Sequence, residues 1–118
     1  MSRPRVFICA RVRPSRPGDG LPEADAATLE RYADQAMLDA INRDEAPFPW
    51  PGLSHVLDDA DPDDRAAALD TCLAWLSAAE RVAVYTDYGI SSGMRGEIDR
   101  ARALGIPVEL RSITPITQ

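Results

Sequence analysis

Glu97 stands out among the ionisable residues of this sequence. It follows the polar, glycine-bearing stretch Tyr88-Gly89-Ile90-Ser91-Ser92-Gly93-Met94, and its i−3 and i+4 neighbours, Met94 and Ala101, are packing types. A carboxylate set beside an apolar stripe is partly shielded from water, and shielded carboxylates in clefts are the kind that act as nucleophile or base. The blander alternative is a solvated acid that favours the positive end of a helix. The capping-box role is excluded by spacing: that glutamate falls three residues after the cap, whereas Glu97 is five after Ser92.

Two further groups could complement a carboxylate. Ser91 and Ser92 precede a helical pattern, so either can cap it, and the free N–H groups of such a start also receive anions. Gly93 and Met94 continue that turn. Arg11, Arg13 and Arg16 cluster just after an apolar run, and planar guanidinium forks match phosphate oxygens, although solvated loop charges would read the same way.

The elements that must hold these groups are short and alternate. Val6-Phe7-Ile8-Cys9-Ala10 reads as a strand buried on both faces, and the Pro- and Gly-rich segment after it as a loop. From Leu29 the positions Tyr32, Ala33, Ala36, Met37, Ala40 and Ile41 recur at helical spacing. Ala46 to Gly52 alternates proline with bulky residues, which permits only a short edge strand or an extended loop. Asp61-Pro62-Asp63-Asp64 is a helix start, and Leu69, Cys72, Leu73 and Leu76 form the stripe behind it. Val82 to Tyr85 is a second buried strand. Met94, Ile98, Ala101 and Leu104 mark a third helix stopped by Gly105, and Ile106 to Leu110 a last strand. Together these imply a small doubly wound, Rossmann or flavodoxin-like α/β domain spanning residues 1–118. Its mostly parallel sheet would have about four to five strands, with helices on both faces. Ligands of such sheets bind beyond the carboxyl ends of the strands, where the strand order switches.

Composition narrows the partners. The 118 residues carry 13 basic and 19 acidic side chains, a net charge of −6, and every basic residue is arginine. An acidic chain is poorly suited to a nucleic acid polymer, which selects a surplus of positive charge, but small anions stay open. No run is long and apolar enough for a membrane span, and the N-terminus lacks the apolar core of a signal peptide, so a cytoplasmic protein is expected. Cys9 and Cys72 sit in apolar contexts and read as reduced, buried thiols. The single histidine, His55, has no nucleophile partner by spacing. No metal and no organic cofactor is implied, since one histidine and two such cysteines do not make a ligand set.

The run Val6 to Arg13, taken with Ser91-Ser92-Gly93-Met94-Arg95-Gly96-Glu97-Ile98, resembles the nucleoside 2-deoxyribosyltransferase-like superfamily, which includes nucleotide N-glycosidases. Within it the chain most resembles an uncharacterised branch of small bacterial and phage proteins, which share the stretch Leu57 to Arg65 and the later Gly93-Met94…Glu97-Ile98. The resemblance implies a glutamate nucleophile at the position of Glu97, attacking the anomeric carbon of a nucleoside. It implies a phosphorylated substrate, because Ser91 stands where nucleotide hydrolases have a phosphate-binding serine and nucleoside transferases an aspartate. Arg13 and Arg16 fall where those hydrolases have loop arginines. The superfamily's first-strand tyrosine is Phe7 here, and its second-helix aspartate is matched by Cys72, with Asp70 on another helical face. Phe7 and Ala10 are expected to line the substrate pocket. A homodimer is also implied, with the Phe48 to Trp50 segment as a candidate interface. The alternative on the same fold is a non-catalytic module that binds, senses or sequesters a nucleotide.

Overall fold

A computed structural model of the chain describes residues 2–48 and 61–113. Trp50, His55 and the Leu57 to Ala60 part of the shared stretch lie outside them. The elements run β1 (Arg5–Cys9), α1 (Ala26–Asn42), β2 (Ala46–Pro47), α2 (Pro62–Leu76), β3 (Arg81–Tyr85), α3 (Ser92–Ala103) and β4 (Val108–Arg111). The strands form one parallel sheet in the order β2-β1-β3-β4. This is the expected doubly wound α/β architecture.

Local chemistry explains each element. β1 and β3 are apolar on both faces, and Val6 to Cys9 and Val82 to Tyr85 are all buried. β2 tolerates Pro47 because it is an edge strand. Ala46 N–H and Phe48 N–H bond the Pro4 and Val6 carbonyls at 2.9 Å each, and the proline between them needs no donor. Asp25 caps α1, its carboxylate accepting the Thr28 N–H at 2.8 Å. Asp61 caps α2 by accepting the Asp63 N–H at 2.8 Å, with Pro62 at the first helical position.

The two sheet faces carry separate cores. On one, α1 lays Tyr32, Ala36 and Ala40 over Val6, Ile8, Ala83 and Tyr85. On the other, α2 and α3 bring Leu76, Met94, Ile98 and Ala101 to Phe7, Cys9, Val82 and Val84. The stripe expected on α2 is only partly realised. Leu76 is its one buried residue among those described, Cys72 and Leu73 are half-buried, and Leu69 and Trp75 are exposed, because the helix meets α3 and the sheet through its C-terminal half. Leu104 and Ile41, expected on packing stripes, are also exposed, each at the C-terminal end of its helix.

Candidate functional site

The strand order reverses between β1 and β3: the chain leaves β1 toward β2 over one face and leaves β3 toward β4 over the other. A crevice opens at such a reversal. The loops bounding it are the arginine segment after β1 and the Asp87 to Ser91 turn before α3, so the fold brings together the two segments that carry the predicted chemistry.

Ser91 is the N-cap of α3. Its hydroxyl accepts the Met94 N–H at 3.3 Å, and its own N–H meets the Met94 thioether at 3.4 Å, so a methionine occupies the place of the usual glutamate in a capping box. Ser92 and Gly93 follow in the exposed first turn, where N–H groups have no acceptor inside the helix. Met94 is buried in the core instead of facing the crevice.

Glu97 lies one turn farther along α3 and is half-buried. Burial pushes its carboxyl up to about 7, partly offset by a hydrogen bond from the Cys9 thiol. Cys9 ends β1 and is fully buried, and its Sγ also lies 3.8 Å from the Met94 carbonyl oxygen. Burial first, and then the Glu97 charge, holds this thiol well above the ordinary cysteine range. Cys72, on α2, is raised to about 11 for the same two reasons, so it too faces the carboxylate. Glu97 is thus a carboxyl raised by burial, and the thiols of Cys9 and Cys72 are near enough to feel its charge.

Phe7, two residues before Cys9 on the same face, brings no polar atom to this spot. Its ring stacks on Phe48 at 5.8 Å between centroids, and Phe48 stacks on Trp75 at 5.3 Å. Ala10 belongs to the opposite core, under α1, so the two residues expected to share a pocket are on different faces of the sheet. Alternation along a strand already contains that separation.

The arginines divide. Arg11 is 1% exposed, and its guanidinium is used by the loops themselves. Nε donates to the Arg13 carbonyl at 3.1 Å, Nη1 to the carbonyls of Pro22 and Tyr88 at 2.6 and 3.2 Å, and Nη2 to the Ser15 hydroxyl at 3.1 Å. It ties the loop after β1 to the loop after β3. Arg13 is half-buried and Arg16 exposed. Asp19 joins them, its carboxylate held below the usual range by the N–H groups of Arg16 and Leu21, at 2.8 and 2.9 Å. The open concavity beside Arg16 is lined by Ser15 to Leu21 and Glu23, all from that loop, and Glu97 is not part of it. Among the described residues no group of three or more His, Cys, Asp and Glu side chains could hold a metal ion.

Two partners escaped the sequence reading. Cys9 looked like an inert core thiol, although its alternation with Phe7 put it on the face that α3 covers. Asp87, two residues beyond β3, accepts the Tyr32 hydroxyl at 2.5 Å and the Ile113 N–H at 3.1 Å, which anchors the chain after β4 beside the crevice. No local pattern marks it.

Comparison with known proteins agrees with the fold. Residues 4–111 match a family described as a domain of unknown function, DUF7768. No curated protein matches the sequence. Among solved structures, a 2-deoxyribosyltransferase from the psychrotolerant bacterium Bacillus psychrosaccharolyticus superposes with a TM-score of 0.62 at 16% identity. The superposition covers 97% of this chain and 76% of that one. No helix among the described residues is long and apolar enough to cross a membrane.

Proposed function

This chain belongs to the DUF7768 family, a domain of unknown function, and we propose from its own site that it cleaves, or transfers from, the N-glycosidic bond of a nucleotide. The observation that carries the proposal is Glu97, a half-buried carboxylate that ionises near neutrality on α3, beside the β1–β3 crevice. The fold likeness to a nucleoside-processing transferase supports the substrate class. In the reaction, a Glu97 carboxylate oxygen bonds to the anomeric carbon as the bond from that carbon to the base nitrogen breaks. The electron pair leaves with the base, which takes up a proton. Water, or a second base, then displaces the carboxylate from the glycosyl ester. Ser91, the Ser92 and Gly93 N–H groups, Arg13 and Arg16 are the proposed 5'-phosphate ligands, while Arg11 positions the loops that present them. The remaining proposals are a homodimer that uses the Phe48 aromatic segment and a cytosolic setting.

A second reading has one specific observation behind it. Phe7 and Cys72 stand where the related superfamily has a hydroxyl and a carboxylate, and loss of a general acid costs about 10²- to 10⁴-fold in rate. A nucleotide-binding module without turnover would need neither group. Incubation with ribo- and deoxynucleosides and their 5'-monophosphates, followed by chromatography for free base, separates the readings. Release by the wild type and not by Glu97→Gln supports the enzyme. Saturable binding without release by either supports the module.

A further inference from the structure

Tyr32 and Asp87 are joined twice. The Tyr32 hydroxyl donates to Asp87 Oδ2 at 2.5 Å and accepts the Asp87 N–H at 2.9 Å, so one hydroxyl holds both the side chain and the backbone of the residue that opens the turn before α3. Tyr32 is buried where α1 packs on the sheet and is therefore a fixed point. Burial first, and then the bond to Asp87, keep its hydroxyl well above the ordinary tyrosine range, so it stays a donor. The chain after β4 shares the same carboxylate: the Ser112 hydroxyl donates to Oδ1 and the Ile113 N–H to Oδ2. Farther along the turn, the Tyr88 ring meets Tyr32 edge-on at 4.8 Å and its carbonyl accepts from Arg11.

What this turn controls follows from the two parts of α3. Met94, Ile98 and Ala101 are buried and hold the body of the helix, Glu97 with it, to the sheet. Ser92 and Gly93 are exposed, so the first turn takes its place from the Asp87 to Ser91 turn that leads into it. We propose that Tyr32 and Asp87 are positioning residues: together they clamp the turn that presents Ser91 and the Ser92 and Gly93 N–H groups, and so set the affinity for a 5'-phosphate without acting on Glu97. Donors held in place bind an anion without first having to be ordered. The preference this gives for phosphorylated over unphosphorylated nucleosides rests on the proposed nucleotide reading, whereas the fixing of the turn does not.

Tyr32→Phe removes only the hydroxyl and leaves Asp87 its Ser112 and Ile113 donors, so the variant is expected to fold. Hydrogen exchange reads the turn without substrate. The Met94 and Arg95 amides bond the Ser91 hydroxyl and carbonyl. In Tyr32→Phe they are expected to exchange about tenfold faster, the worth of one hydrogen bond to a charged group, while the Arg102 amide keeps its protection. Unchanged exchange at Met94 and Arg95, or an equal loss along the whole helix, overturns the proposal. With turnover as a second readout, KM for nucleoside 5'-monophosphates is expected to rise about tenfold at unchanged kcat, and KM for the unphosphorylated nucleosides to stay constant. Asp87→Ala is expected to act likewise, and Asp87→Asn, which keeps an acceptor for the Tyr32 hydroxyl, to restore the wild-type KM. Ser112→Ala spares the clamp and is expected to change little. A KM rise shared by phosphorylated and unphosphorylated substrates, or a fall in kcat alone, overturns the phosphate preference. If exchange rises as expected and calorimetry shows weaker monophosphate binding, but the wild type releases no base, the clamp stands and the glycosidase reading fails.

Discussion

Arg111, the last residue of β4, grips Glu45, which immediately precedes β2, through two parallel bonds. Nη1 donates to Oε1 at 2.7 Å and Nη2 to Oε2 at 2.6 Å. The pair joins opposite edges of the sheet beneath α1, and both side chains are buried. Tyr85 completes it, its hydroxyl accepting from Arg111 at 3.2 Å and donating to Asp39 of α1 at 2.8 Å. Arg81 adds a second cation to the same carboxylate at 3.1 Å.

Removing Glu45 leaves the buried Arg111 with only the half-exposed Glu109 as counter-charge, at 2.9 Å. Glu45→Ala is therefore expected to cost about 3–5 kcal/mol, read as a lower urea midpoint. The double replacement Glu45→Met with Arg111→Met is expected to recover most of that loss. A double variant no more stable than Glu45→Ala would show that the pair is not acting as a unit.

Glu97 makes stability depend on pH in the direction opposite to a salt-bridged acid. Its folded pKa of about 7 lies above the ordinary 4.5, so the folded state holds the extra proton between those values. Stability is full below pH 4.5, falls as pH rises toward 7, and is flat above. Glu97→Gln removes the cost and is expected to stabilise the protein by about 2–3 kcal/mol at pH 8, with the difference vanishing near pH 4. Urea unfolding of both chains at the two pH values checks the sign.

Ser91 has two roles that one substitution separates. Ser91→Ala is expected to cost about 1 kcal/mol through loss of the cap. Ser91→Asp keeps a capping acceptor and so keeps stability, but it places a negative charge where the 5'-phosphate is proposed to bind. Calorimetry should show weaker binding of nucleoside monophosphates and little change for the unphosphorylated nucleosides.

Gly89 and Gly105 both have positive φ, +85° and +74°, yet they differ in surroundings. A Cβ at Gly89 would lie 3.1 Å from both Leu21 Cδ2 and Pro22 Cδ, where the loop after β1 presses on the loop after β3, while Gly105 faces open space. Gly105→Ala should cost about 1–2 kcal/mol, the left-handed penalty alone. Gly89→Ala should cost more and loosen the arginine loop, visible as faster proteolysis between Arg11 and Glu23.

Much of the fold can be read along the chain because its determinants are local. Continuous apolar runs announce β1 and β3, Asp61-Pro62 announces α2, and Ser91 and Gly105 bracket α3, each within a few residues of the backbone it governs. The anion-receptive turn and the shielded Glu97 belong to the same class, since a cap and a helical stripe are neighbours in sequence. Leu69 lies on the apolar stripe of α2 and is exposed for a related reason: periodicity gives the apolar side of a helix but not how far the packing beneath it extends.

Partnership between distant segments obeys different physics. Reversal of the strand order between β1 and β3, with α1 on one face and α3 on the other, puts Cys9 against Glu97 and lets Arg11 spend its donors on the carbonyls of Arg13, Pro22 and Tyr88. A guanidinium in a loop looks the same in sequence whether it awaits a phosphate or staples two loops. Residue type and spacing supplied the chemistry available to this protein. Long-range packing alone settled which groups meet, because desolvation and hydrogen bonding act between whatever atoms the fold brings within a few ångströms.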